Sequence, residues 1–222
     1  MPALSRYGFI GLVIVLGIAS RSPRLLLAQA PNAKAWAQQG IEAAQRRDWQ
    51  RAVAAFTEAL RLDPNYTVAR YNRCVARFKL DETHKALEDC TEALRLNPKY
   101  AEAYYIRGLM RSERLGDNQA AVSDFDQAVR LKPDYAAAYL KRGNARYRLG
   151  DHQGGLSDYS QAIRLTPDDA DAYFNRAVAR ANQGEKQGAL EDLQAAAKHY
   201  QNQGDKAGYQ RATDALQKVT GK

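Results

Sequence analysis

The side chains best suited to chemistry in this chain are two cysteines, three histidines, and a set of arginines and aspartates that return at regular intervals. Cys74 and Cys90 are the only cysteines. In an oxidising compartment such a pair can close a disulfide, provided the Cα atoms come within about 7 Å; otherwise it is two small thiols. His84, His152 and His199 have no partner at ligand or triad spacing. Hydrolysis would need a nucleophile, a base and an orienting group to converge. No catalytic residue, bound metal or cofactor is therefore expected. Arg73, Arg107, Arg142 and Arg176 recur every 34 or 35 residues, and Asp89, Asp124, Asp158 and Asp192 follow them by 16 or 17. Charges that repeat together in this way point to structural ion pairs.

The segment from Ala136 to Asp169 shows what must position them. Apolar and small residues run at helical spacing, Gly150-Asp151 interrupts them, the periodicity resumes, and Pro167 closes the stretch. That pattern predicts helix, tight turn, helix, stop. Pro64, Pro98, Pro133 and Pro167 stand 34, 35 and 34 residues apart. A fixed period of this length marks a stacked repeat.

The chain resembles the tetratricopeptide repeat (TPR) family over residues 33–203, in units 33–66, 67–100, 101–135, 136–169 and 170–203. The family's aromatic position 4 holds Trp36, Arg70, Tyr104, Tyr139 and Tyr173, so Arg70 departs from it. Position 8, small in the family, holds Gly40, Cys74, Gly108, Gly143 and Ala177. Position 20 holds Ala52, Ala86, Ala121, Gly155 and Ala189, and position 27 holds Ala59, Ala93, Ala128, Ala162 and Ala196. Position 24 holds Phe56, Cys90, Phe125, Tyr159 and Leu193. The resemblance implies an all-α fold, a right-handed α-solenoid of stacked antiparallel helix hairpins. It also implies that Cys74 and Cys90 both face the seam of the second hairpin, where a disulfide and two buried thiols remain open readings. The recurring arginines and aspartates fall at positions 7 and 23. Unit one lacks both, with Gln39 and Ala55 there, which suggests that each pair meets within its hairpin.

Residues 1–30 stand outside the pattern. Arg6 precedes an apolar run from Phe9 to Ala19, and Ala28-Gln29-Ala30 has the A-x-A form of a cleavage site. The run is short of the roughly 17–25 residues that span a bilayer. It reads as a signal peptide, with an uncleaved N-terminal anchor as the alternative, so the expected location is exported or membrane-anchored through this segment. One extra residue in unit three lies among Ser112, Glu113 and Arg114, where a π-bulge or a lengthened turn should form. Residues 204–222 should form a capping helix and tail, with Ala212, Ala215, Leu216 and Val219 on one face.

The net charge of +8 owes three charges to Arg6, Arg21 and Arg24, and the remaining basic residues are scattered at helical spacing. Nucleic-acid binding would want a basic stripe with interleaved aromatics, so it is not expected. The resemblance instead implies a concave groove for a protein or peptide. Its lining would be Tyr71, Asn72, Val75, Phe78 and Lys79, then Tyr105 and Leu109, then Leu140, Lys141, Asn144, Tyr147 and Arg148, then Phe174, Asn175 and Val178. A family subtype grips a C-terminal carboxylate with five polar residues; Asn144 and Asn175 match two of those places, but Leu140 stands where a lysine is needed. The expected function is a non-catalytic binding scaffold. A self-associating structural module and a regulatory subunit of a separate enzyme are the alternatives.

Overall fold

The computed structural model describes residues 32–221; the leader, with the signal-peptide and anchor readings that fall on it, lies outside the described residues. Among the described residues every regular element is helical, and adjacent helices pair into stacked hairpins. The chain divides into two compact blocks, one ending at Pro98 and one starting at Lys99.

In the first block α1 (Ala33–Gln45) pairs with α2 (Trp49–Leu62), and α3 (Thr67–Lys79) pairs with α4 (Thr83–Leu96). Packing of α2 on α3 stacks the two hairpins. In the second block α5 (Ala101–Leu109), continued by a π-helical turn at Met110–Arg114, pairs with α6 (Asn118–Leu131). The hairpins α7 (Ala136–Arg148)/α8 (His152–Leu165) and α9 (Ala170–Asn182)/α10 (Lys186–Asn202) follow, and α11 (Lys206–Thr220) packs on α10.

Local sequence explains where the helices start and stop. Asn32, Asp48, Asp117, Asp151, Asp169 and Asp205 each accept a hydrogen bond from the backbone N–H three residues on, which satisfies one orphan donor of the helix that follows. Gly150 ends α7 in the left-handed region, with φ +86°. The corresponding turn of the second hairpin uses Asp81 at φ 60°, a conformation that disfavours a side chain.

The seam of each hairpin is built on size. A Cβ added to Gly40, Gly108 or Gly143 would stand 2.5, 2.7 or 2.7 Å from the ring of Phe56, Phe125 or Tyr159. Only glycine lets those rings approach the facing helix so closely. Burying each phenylalanine fully contributes about 1.5–3 kcal/mol. Gly155 closes the seam from the other side, its added Cβ falling 3.2 Å from the carbonyl oxygen of Gly143. The alanines at repeat positions 20 and 27 are fully buried in every unit that has them.

The extra residue of the third unit becomes the π turn, closed by Leu115 N–H donating to the carbonyl of Met110 at 3.2 Å. α11 buries Gly208 and Ala212 against Tyr200, while Ala215, Leu216 and Val219 stay half-buried.

Candidate functional site

The recurring charges converge as clamps. Asp89 accepts from Arg73 Nε at 2.8 Å and Nη2 at 2.7 Å, and from Arg77 Nη1 at 2.8 Å. Asp124 takes the same bonds from Arg107 and Arg111, Asp158 from Arg142 and Arg146, and Asp192 from Arg176 and Arg180. All four aspartates are at most 3% exposed. The second arginine, one helical turn beyond the first, was missed in sequence reasoning. Its signal was there: Arg77, Arg111, Arg146 and Arg180 repeat at the same interval as their partners.

The first arginine also reaches the hairpin before it. Arg73 Nη1 donates to Thr57 at 3.1 Å, Arg142 Nη1 to Asp126 at 2.7 Å, and Arg176 Nη1 to Ser160 at 3.1 Å. Burial alone would lower the pKa of Arg142, but Asp158 and Asp126 together hold it above its ordinary value. The guanidinium groups of Arg107, Arg142 and Arg176 lie over the rings of Tyr104, Tyr139 and Tyr173 at 5.2–5.7 Å. In the second hairpin Arg70 stands where those rings do, its Nη2 donating to the carbonyl of Pro64 at 2.6 Å. Each side chain in these clusters has at least one partner, although the Nε atoms of Arg70 and Arg77 are buried without a hydrogen bond, and such a network suits a structural role.

The residues expected to line a groove divide by burial. Tyr71, Asn72, Phe78, Tyr105, Leu109, Leu140 and Lys141 are interior. Tyr105 packs on Phe125 and Tyr135 at 6.0 and 4.9 Å between ring centroids, and Leu140 joins the cluster around Tyr159 and Ala162. These side chains are buried in the packing between helices rather than presented on an open wall. Val75 is half-buried and Lys79 exposed on α3.

The open part in the second block lies on α7 and α9. Asn144, Tyr147, Phe174 and Asn175 are half-buried, Arg148 is exposed, and Val178 is 37% exposed. Polar rungs connect successive first helices there. Lys141 Nζ donates to Glu113 at 2.7 Å, Arg148 Nη1 to Ser112 Oγ at 2.9 Å, and Asn175 Nδ2 to Asn144 Oδ1 at 3.1 Å. Asn182 Nδ2 donates to the Tyr147 hydroxyl. The π turn supplies Ser112 and Glu113, so the inserted residue serves this face.

His84 and His152 are exposed, and His199 stacks on Tyr173 at 5.4 Å. Among the described residues no three metal-ligating side chains gather at one point. Nor is any described helix long and apolar enough to cross a membrane.

Comparison with known families and structures agrees with this geometry. Profiles described as tetratricopeptide repeat match residues 33–66, 67–100 and 140–205, and one described as TPR repeat matches 114–150. Among solved structures, MamA superposes with a TM-score of 0.69 at 24% identity, covering 74% of this chain and 96% of that one. YrrB, described as a TPR protein with an unusual peptide-binding site, gives 0.68 at 22%, covering 82% and 92%. PilW, described as a widely conserved type IV pilus biogenesis factor, gives 0.64 at 21%, covering 83% and 92%. At these identities the likeness is one of fold. No curated protein sequence matches the chain.

Proposed function

Because the chain belongs to the tetratricopeptide repeat family, we propose that it is a non-catalytic scaffold that holds a segment of a partner protein against α7 and α9. The observation that carries this reading is the amide pair beside an open apolar ledge. The Asn175–Asn144 bond uses one hydrogen of Asn175 and one lone pair of Asn144. Nδ2 of Asn144 and Oδ1 of Asn175 are left over, a donor and an acceptor that match the C=O and N–H of a peptide group. Val178 and the half-buried rings of Tyr147 and Phe174, the latter with Arg211 over it at 5.5 Å, offer apolar contact to a side chain of the same segment. The face is already formed by packed helices, so little ordering cost falls on this chain when it binds.

A protein partner is consistent with two structures of like fold, YrrB with its peptide-binding site and PilW, a pilus biogenesis factor. We further propose an exported location, supported by the leader sequence and by a cysteine pair suited to an oxidising compartment. The test is copurification from cells of the native host, with the wild type, Val178→Asp and Asn144→Ala as baits of equal thermal stability. The wild type should retain a protein that both variants lose. Unchanged recovery with both variants would overturn the α7/α9 reading.

A further inference from the structure

The second hairpin is held by a different device from its neighbours. In the first, third and fourth hairpins a glycine on the first helix receives an aromatic ring from the second. At the same two places the second hairpin has Cys74 and Cys90, both fully buried, with Cα atoms 5.4 Å apart and joined by a disulfide. A covalent tie stands where a ring fills the seam elsewhere. Without it the seam would contain two small thiols, less apolar bulk than Phe56 or Tyr159 provides.

The same hairpin carries the most local liabilities. Asn72 is 3% exposed and neither its amide nitrogen nor its amide oxygen has a hydrogen-bond partner. A buried amide in that state disfavours the closed form. Asp81 occupies the left-handed turn conformation that Gly116, Gly150 and Gly184 take in the second block, a conformation that Arg47 shares in the first hairpin. Arg70 replaces the aromatic residue on which the first arginine of the clamp otherwise stacks. Two of these defects, the orphaned amide of Asn72 and the missing ring at Arg70, fall among the described residues only in the hairpin that has the cross-link.

We propose that α3/α4 is a redox-controlled joint, closed while Cys74 and Cys90 are bonded and locally open once they are reduced. The reductant is a dithiol. Its thiolate attacks one Sγ, the S–S bond breaks, and the departing cysteine leaves as a thiolate that takes up a proton. The second thiol of the reductant then displaces the remaining cysteine and closes its own disulfide. The dithiol is oxidised by two electrons, and the pair gains two electrons and two protons. Since both sulfurs are buried, attack waits for the hairpin to open, and the reduction rate should level off as dithiol concentration rises. The inference is independent of the partner reading, which concerns α7 and α9.

The experiment is hydrogen exchange of the purified chain with and without dithiothreitol, with free thiols counted in denaturant. Oxidised protein should show no free thiol, and reduced protein two. On reduction, protection across residues 67–96 should fall roughly a hundredfold, as expected for a cross-link closing a loop of about 15 residues, while residues 136–165 hold theirs. Cys74→Gly/Cys90→Phe, which installs the seam of the sister hairpins, should be indifferent to dithiothreitol. Cys74→Ser/Cys90→Ser should behave like reduced wild type without any reductant. Two free thiols before reduction, or unchanged protection after complete reduction, would overturn the proposal. The wild-type comparison decides it even where a variant does not fold.

Discussion

Replacing Asp158 by alanine should destabilise the fourth hairpin by about 3 kcal/mol, at the lower end of the roughly 3–5 kcal/mol that follows when one partner of a buried pair is removed. The carboxylate is 2% exposed and accepts from Arg142 Nε at 2.9 Å, Arg142 Nη2 at 2.5 Å and Arg146 Nη1 at 3.0 Å. Its loss strands part of Arg142. The lower figure applies because Arg142 Nη1 keeps Asp126 at 2.7 Å, and Arg146 keeps Asp126 at 3.3 Å and Asp151 at 3.8 Å. For a chain of this length about 3 kcal/mol lowers Tm by about 6–12 °C. Arg142→Leu/Asp158→Leu should recover most of that loss, since an apolar pair of similar volume often equals a buried ion pair. Thermal and urea unfolding measure the whole chain, and hydrogen exchange over residues 136–165 locates the effect, because stacked repeats open in stretches. A double variant as damaged as the single one would refute the pairing. So would an Asp158→Ala protein within about 0.5 kcal/mol of wild type, the range of ordinary surface changes.

Two further outcomes follow from the geometry. Gly143→Ala should cost about 1–3 kcal/mol through crowding of the Tyr159 ring, and Gly150→Ala about 1–2 kcal/mol through its φ of +86° alone, since nothing lies within 4 Å of an added Cβ there. Pairing Gly143→Ala with Tyr159→Leu should relieve the first loss and leave the second untouched, which urea midpoints would show. Burial raises the pKa of Asp169 above its usual value, against the opposing bond from the Ala172 N–H. The folded state therefore holds this proton more tightly than the unfolded chain. That contribution favours folding at low pH and is lost as pH rises through the folded pKa, leaving a half-buried charge at neutrality. Asp169→Asn keeps the N-cap and removes the charge, so it should be more stable than wild type at pH 7 by an amount that shrinks on acidification. A gain that is the same at every pH would count against this account.

What the sequence by itself determined is the repeat and everything that depends on size at a fixed period. Gly143, Gly155 and Ala162 return in kind every 34 or 35 residues, and a steric requirement that recurs identically is visible without coordinates. The paired arginines and aspartates were recognisable for the same reason, as was the surplus residue near Ser112, which shifts the period by one. The tertiary structure decided which neighbour each side chain meets. Tyr105, Leu140 and Lys141 read as groove residues by position, yet each is buried in the packing. Asn144 and Asn175 each read as a groove-lining amide, and the stacking of α7 on α9 bonds them to one another. Periodicity specifies the kind of residue at a place on a helix. The partner of that residue depends on helix rotation and on what the adjoining hairpin offers, and those are properties of the assembled stack.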